Sequence, residues 1–281
     1  MMMNVENSAG GGAAFVGIGD ASVSTAANWK MWGGFRAFST ATKGTRAINV
    51  CNPTPTCADV NSDATTGELP ATITISGTNC SGGTCTIAKI YDQTGNLQCT
   101  SGAACDWVQA TTNLQPTLLF SATPNGKWCA NWPGTQAGQL LLSGTMPSNP
   151  QPFVYSGIVF ANTGISTAEL WPDIGSGTQQ RHESTANTMG VFDGSLSTFT
   201  MSDNAWHALQ ITWSGPTSFS AQVDNNAAQP LTNVGTGSSQ NIGLAGGFSL
   251  PWSGKTCDVG LYNGSPTLIN FYNNQHTWGG F

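Results

Sequence analysis

The 281-residue chain carries eight Lys or Arg against 14 Asp or Glu, a net charge of −6 and a charged fraction of 8%, where soluble chains average roughly 25%. So few cations cannot neutralise a run of phosphates, which argues against a nucleic-acid partner. No apolar run reaches the roughly 20 residues of a membrane-spanning helix. Thirty-five Gly and 14 Pro disfavour a helical bundle, while ten Trp and 39% hydrophobic residues supply a core.

Residues 1–20 read as a glycine-rich, flexible arm that orders only against something else. The first basic residue is Lys30 and no apolar stretch precedes it, so the start does not read as a secretion signal. One short helix is expected within Ala26–Phe38, broken by Gly33-Gly34. Beyond it the hydrophobic period becomes two, over Arg46–Cys51, Ala71–Ile75, Thr86–Asp92, Thr117–Phe120, Leu140–Leu142 and Phe153–Phe160. In Trp206–Trp213, His207, Leu209, Ile211 and Trp213 share one face. Phe219, Ala221 and Val223 alternate before Asp224-Asn225-Asn226, a turn signal. Cys257, Val259 and Leu261 form a further face, ended by Asn263-Gly264. Ser265 as N-cap and Pro266 then open a terminal helix carrying Leu268, Ile269 and Tyr272. Many short strands with polar turns predict an all-β, two-sheet antiparallel sandwich, one domain over residues 21–281, with one or two short helices.

Six of the eight cysteines fall in close pairs: Cys51 with Cys57, Cys80 with Cys85, and Cys99 with Cys105. Zinc knuckles would show Cys-x-x-Cys or His partners at fixed spacing, and neither occurs. Loop-pinning disulfides are the better reading, each worth about 2 kcal/mol in the loop-entropy account. Cys129 and Cys257 stand alone and are left unassigned. Disulfides imply an oxidising destination. Without a leader, release by cell lysis, as for a virion protein, is one route there, and an N-terminus rebuilt for expression is the alternative.

Two stretches carry a resemblance. Trp206-His207-Ala208-Leu209-Gln210-Ile211-Thr212-Trp213 with the strand to Asp224, and the run Gly243–Tyr262 with Asp258-Val259-Gly260-Leu261-Tyr262, resemble the hairpin and closing strands of laminin-G-like, concanavalin A-like jelly rolls. Phe35-Arg36-Ala37-Phe38-Ser39-Thr40, and Cys80-Ser81-Gly82-Gly83-Thr84-Cys85 leading to Tyr91-Asp92-Gln93-Thr94-Gly95-Asn96, resemble the catalytic domain of α-L-arabinofuranosidase B. The resemblance implies a jelly roll over roughly residues 30 to 280 and, in its active members, a pair of catalytic carboxyl groups about 5–5.5 Å apart. Here the position matching the nucleophilic Glu is Gly190. The residue after Gly246-Gly247, where the resemblance puts the acid/base Asp, is Phe248. Both carboxyl groups are missing, as is the family's adjacent-cysteine pair.

Glu169, Trp171, Asp173, Arg181, His182 and Glu183 form the densest polar and aromatic cluster, and together with Trp252 they are the candidate ligand-binding residues: indole faces for a sugar ring, charged groups for its hydroxyls. The competing reading is a solvated loop. Trp206 and Trp213 are assigned to the core. His182, His207 and His276 are isolated in sequence, and His207 reads as a core or edge histidine. No cofactor is implied; jelly rolls often bind calcium, but no Asp-rich ligand run occurs and no metal ligand is assigned. The sequence thus points to a non-catalytic extracellular display or adhesion module, more narrowly a bacteriophage virion surface protein (head decoration, fibre or tail component). Its expected partners are capsid or tail proteins, or self-association through the N-terminal arm, and a cell-surface glycan. The alternative is an arabinofuranosidase-type glycoside hydrolase whose carboxylates have shifted into residues 169–193.

Overall fold

Three long strands with almost no exposed side chains organise the molecule: Phe153–Ala161, Trp206–Gly215 and Ser253–Asn263. They lie side by side, Phe153–Ala161 in the middle, paired antiparallel to both neighbours. A strand solvated on one face would alternate buried and exposed residues. Here Ala208 and Gln210 are as inaccessible as Leu209 and Ile211, so both faces are covered.

The computed structural model describes residues 15–99, 102–134, 141–142, 152–163, 167–172, 179–192, 194–215, 218–232, 246–247 and 250–281. The large antiparallel sheet runs, in spatial order, through Leu141–Leu142, Trp107–Val108, Thr86–Ile90, Thr117–Leu119, Cys129–Pro133, Ser253–Asn263, Phe153–Ala161, Trp206–Gly215, Ser218–Val223 and Gln229–Leu231. Arg46–Cys51 joins it between Cys57–Asn61 and Thr86–Ile90. A second antiparallel sheet has four strands, Ala168–Pro172, Gln179–His182, Thr188–Phe192 and Leu196–Thr200. Met189, Val191 and Phe199 belong to the same buried cluster as Tyr155, Ile211 and Trp213 of the large sheet. This is the expected all-β sandwich.

Packing between the sheets depends on one missing side chain. A Cβ on Gly157 would lie 2.7 Å from Cζ2 of Trp171. With glycine there, Trp171 settles against the central strand and stacks on Tyr155 at 5.9 Å and 15°. The far face of the large sheet is covered by the helix Leu268–Gly279 and by a second cluster of Ile18, Trp29, Trp32, Phe38 and Phe271. Polar groups complete that joint: Gln210 Nε2 donates to Gln275 Oε1 at 3.0 Å, and Gln275 Nε2 donates to Ser156 Oγ at 3.2 Å.

All three predicted disulfides form, and Cys129 and Cys257 are bonded as well. Ala130 and Thr256 are partners across neighbouring strands, which brings the adjoining cysteines together. Closing 128 residues, this last bond restricts the unfolded chain far more than the local ones, by about 5 kcal/mol against about 2 in the same entropy account.

Several expectations are corrected. Trp29–Gly33 is a strand, not part of a helix, because it pairs with Ser253–Asn263; only Ala26–Asn28 makes a helical turn. The arm expected over 1–20 does not reach Asp20: Ile18 is fully buried, and Gly19 N–H donates to Phe38 O at 2.9 Å. Residues 1–14 lie outside the described residues. The strand expected over Ala71–Ile75 is only Thr74–Ile75. The terminal helix is preceded by Thr267 rather than capped by Ser265, since Gly264 N–H donates to Pro152 O and holds the incoming loop on the sheet. It buries Phe271, Gln275 and Trp278, leaving Ile269 exposed.

Candidate functional site

The four-stranded sheet carries most of the candidate residues. Register places Glu169 opposite Arg181, Arg181 opposite Gly190, and Gly190 opposite Thr198. This rung runs from a fully buried carboxyl group at Glu169 to an exposed hydroxyl at Thr198. Arg181 donates from Nε to Glu183 Oε1 at 2.7 Å, and its guanidinium lies 5.0 Å from the centre of the Phe192 ring. Both members of that ion pair are largely buried, 17% and 13% exposed.

Gly190 matters because of what fills its space. A Cβ built there would sit 2.8 Å from Glu183 Oε1 and 2.7 Å from Leu196 Cδ1. The Glu183 carboxylate therefore occupies the volume that a longer residue at 190 would need. The hairpin of Gly246–Gly247 and Leu250–Pro251 packs along Ala168–Pro172. Gly190 and Gly246–Gly247, the stretches to which the resemblance assigns the catalytic positions, thus both belong to the surroundings of the Glu169 strand, the first two strands away in the same sheet and the second in contact with it. Phe248 and Asp173 lie outside the described residues.

The remaining candidates are core residues. Trp171 and Trp252 are 2% and 1% exposed, so neither offers an indole face to a ligand. This corrects their assignment to surface work; the space above Gly157 recruits Trp171 inward. His182, 1% exposed, places Nε2 2.7 Å from Asp203 Oδ1, itself 1% exposed. Both faces of this sheet thus bury polar pairs, a feature periodicity could not reveal.

His207 is 7% exposed and also makes a close constellation. Its Nδ1 lies 2.7 Å from Asp224 Oδ2 and its Nε2 lies 2.9 Å from Ser202 Oγ, the spacing of a nucleophile, base and orienting acid. Two features oppose that use. Nε2 also faces the Ser202 carbonyl at 3.0 Å. The neighbouring amides are committed, Asp203 N–H to Asn187 Oδ1 and Asn204 N–H to the Ala161 carbonyl, leaving neither to stabilise an oxyanion. Asp224 also accepts from Ala208 N–H at 2.9 Å while holding φ at 56°. The three side chains clamp a hairpin turn.

Two further carboxylates are structural. Asp258, fully buried, takes Arg36 Nε at 2.6 Å and Phe35 N–H at 3.3 Å. Burial pushes its carboxyl upward, and the Arg36 charge opposes this. Asp92 accepts from the amides of Trp32, Thr94 and Cys105; its burial raises its pKa against those bonds. Tyr91, pushed up to about 12 by burial and then by Asp59, donates its hydroxyl to Asp59 at 2.7 Å. Among the described residues no group of three His, Cys, Asp or Glu could hold a metal.

No protein-family model matches the sequence, and no curated protein matches it. Among solved structures, the chain is similar to an arabinofuranosidase complexed with arabinofuranosyl-α-1,2-xylobiose, with a TM-score of 0.61 and 12% identity over 88% of this chain and 62% of that one. The likeness is one of fold, and the chain spans 62% of that enzyme's length. Domain 4 of an extracellular family-43 arabinanase from Geobacillus stearothermophilus, in complex with arabinotriose, gives a TM-score of 0.41 and 12% identity over 56% of this chain and 81% of that one. The carbohydrate-binding module CBM66 from Bacillus subtilis gives 0.34 and 14% over 53% and 93%. These last two are too distant to carry an argument.

Proposed function

We propose that the chain is a non-hydrolytic glycan-recognising sandwich that works outside the cell, built on the scaffold of a sugar-cleaving enzyme. The observation that carries this is the rung at Gly190: where the resemblance puts a nucleophile there is no side chain, and the carboxylate filling that volume is held by Arg181. Thr198, exposed at the end of this rung, then offers a hydroxyl to a sugar, and the Arg181–Glu183 pair holds the rung in shape. Four disulfides support an oxidising setting, and none of the described helices is long and apolar enough to cross a membrane.

Within this reading the chain is a single jelly-roll domain displayed on a bacteriophage virion, as a head decoration, fibre or tail component. Residues 1–14 contact capsid or tail proteins or a second copy. The support is from sequence: few charges and paired cysteines. Cosedimentation of the chain with intact particles is the expected outcome, and its recovery only as a free, leader-cleaved monomer overturns the virion part.

The second reading is an active glycosidase, favoured by Glu169 lying on the Gly190 rung and by the Glu183 carboxylate filling the space at Gly190. A chromogenic arabinofuranoside decides between them. We expect no turnover above buffer. Turnover abolished by Glu169→Gln or Glu183→Gln would mean that the shifted carboxylates are the catalytic pair.

A further inference from the structure

The far side of the sandwich holds a site of a different kind. The helix Leu268–Gly279 turns Asn270, Asn273, Asn274 and Thr277 to one side, at the i, i+3, i+4, i+7 spacing of a single helical face. That face forms one wall of a cavity of about 780 Å³, within the usual range of roughly 300–1,000 Å³ for small-ligand sites. Apolar lining comes from Phe15, Val16, Val23 and Trp278, and Ser22, Glu68, Asn125 and Lys127 add further polar groups.

Asn is a poor helix former, costing about 0.5 kcal/mol against Ala at each interior site. Only Asn274 has a structural reason to be there. Its Oδ1 accepts from Arg36 Nη2 at 2.7 Å, and its Nδ2 donates to the Val16 carbonyl at 2.9 Å. The side chains of Asn270, Asn273 and Thr277 line the cavity without an internal hydrogen bond to any described residue. Charge selects the ligand further. Arg36 is closed by Asp258 at 2.6 Å, and Lys127 by Glu68 at 3.2 Å. Both cations are neutralised within the protein, so the cavity demands no anion.

We infer that this cavity binds a neutral saccharide of one or two rings. A sugar ring presents an apolar C–H face and a rim of hydroxyls that both donate and accept. The apolar residues and the amides of the lining match these two features. Neutral amides suit vicinal hydroxyls because each supplies a donor and an acceptor at fixed separation. This site is separate from the Arg181–Glu183 rung and does not depend on the reading of that rung.

The test uses the full chain. Cellobiose, xylobiose and lactose, with digalacturonic acid as the acidic counterpart, are titrated against labelled protein and followed by amide chemical-shift changes. Binding of at least one neutral sugar is expected, with shifts at Asn270, Asn273 and Thr277, and at least tenfold weaker binding in Asn273→Ala and Thr277→Ala. These positions are on the helix surface, so melting temperatures stay near that of the parent. Binding lost in Glu183→Gln yet unchanged in both cavity variants overturns this inference while leaving the proposed function standing. Preference for the acidic sugar, or no neutral sugar bound at millimolar concentration, also overturns it. A chain lacking residues 1–14 guards against self-occupation: if only that variant binds sugar, the cavity is the seat of the arm and the inference falls.

Discussion

The four-stranded sheet and the cavity beside the terminal helix handle polar side chains in opposite ways. On the sheet, His182 pairs with Asp203 and Arg181 with Glu183, all at most 17% exposed. Beside the helix, Asn270, Asn273 and Thr277 face open space. A closed pair contributes to the fold and leaves little for a ligand, because its hydrogen-bonding capacity is spent internally. An open group contributes almost nothing to the fold and is available. The polar cluster most conspicuous in the sequence is therefore largely structural, and the inconspicuous amides of the helix are the ones left free.

The contrast predicts stability effects in a definite order. His182→Leu strands the Asp203 carboxyl in a buried site, so urea unfolding is expected to show a loss of about 3 kcal/mol. A loss under half of that would mean the pair is solvated and the sheet less closed than its geometry implies. Gly190→Ala comes next: the new methyl meets Leu196 and Glu183, costing about 1–2 kcal/mol. Combining it with Glu183→Ala is expected to remove part of that cost, because one of the two obstructing groups is gone. Additive melting temperatures for the pair would show that Glu183 does not fill the space of residue 190.

Tyr91 sharpens the comparison in a third place, where a closed pair can be read by titration. Ultraviolet difference titration against Tyr91→Phe is expected to show this phenol ionising near pH 12 rather than 10, since burial and Asp59 both disfavour the phenolate. With the folded value raised, the stabilisation is complete below about pH 10 and is lost as pH rises toward 12. Asp59→Asn is expected to move the midpoint back toward 10. The smallest effect belongs to the open groups. Asn273→Ala is expected to leave stability unchanged or raised by about 0.5 kcal/mol, because it gains helix propensity and breaks no internal bond. A loss above 1 kcal/mol in thermal denaturation would show that the amide is tied into the fold and would end the contrast drawn above.

By itself the sequence determined the all-β class, the three local disulfides and the edges of most long strands. Each of these is written in near neighbours: alternation in Trp206–Trp213, the small residues between Cys80 and Cys85, the turn at Asp224-Asn225-Asn226. Only the tertiary structure decided the Cys129–Cys257 bond, the strand at Trp29–Gly33 and the inward turn of Trp171 and Trp252. Those depend on register between segments more than a hundred residues apart, and on a partner such as Gly157 whose missing side chain makes room. The same holds for the candidate sites. Periodicity can show which residues share a face. Whether Glu183 is paired and Asn273 free depends on which surface the fold lays against each of them.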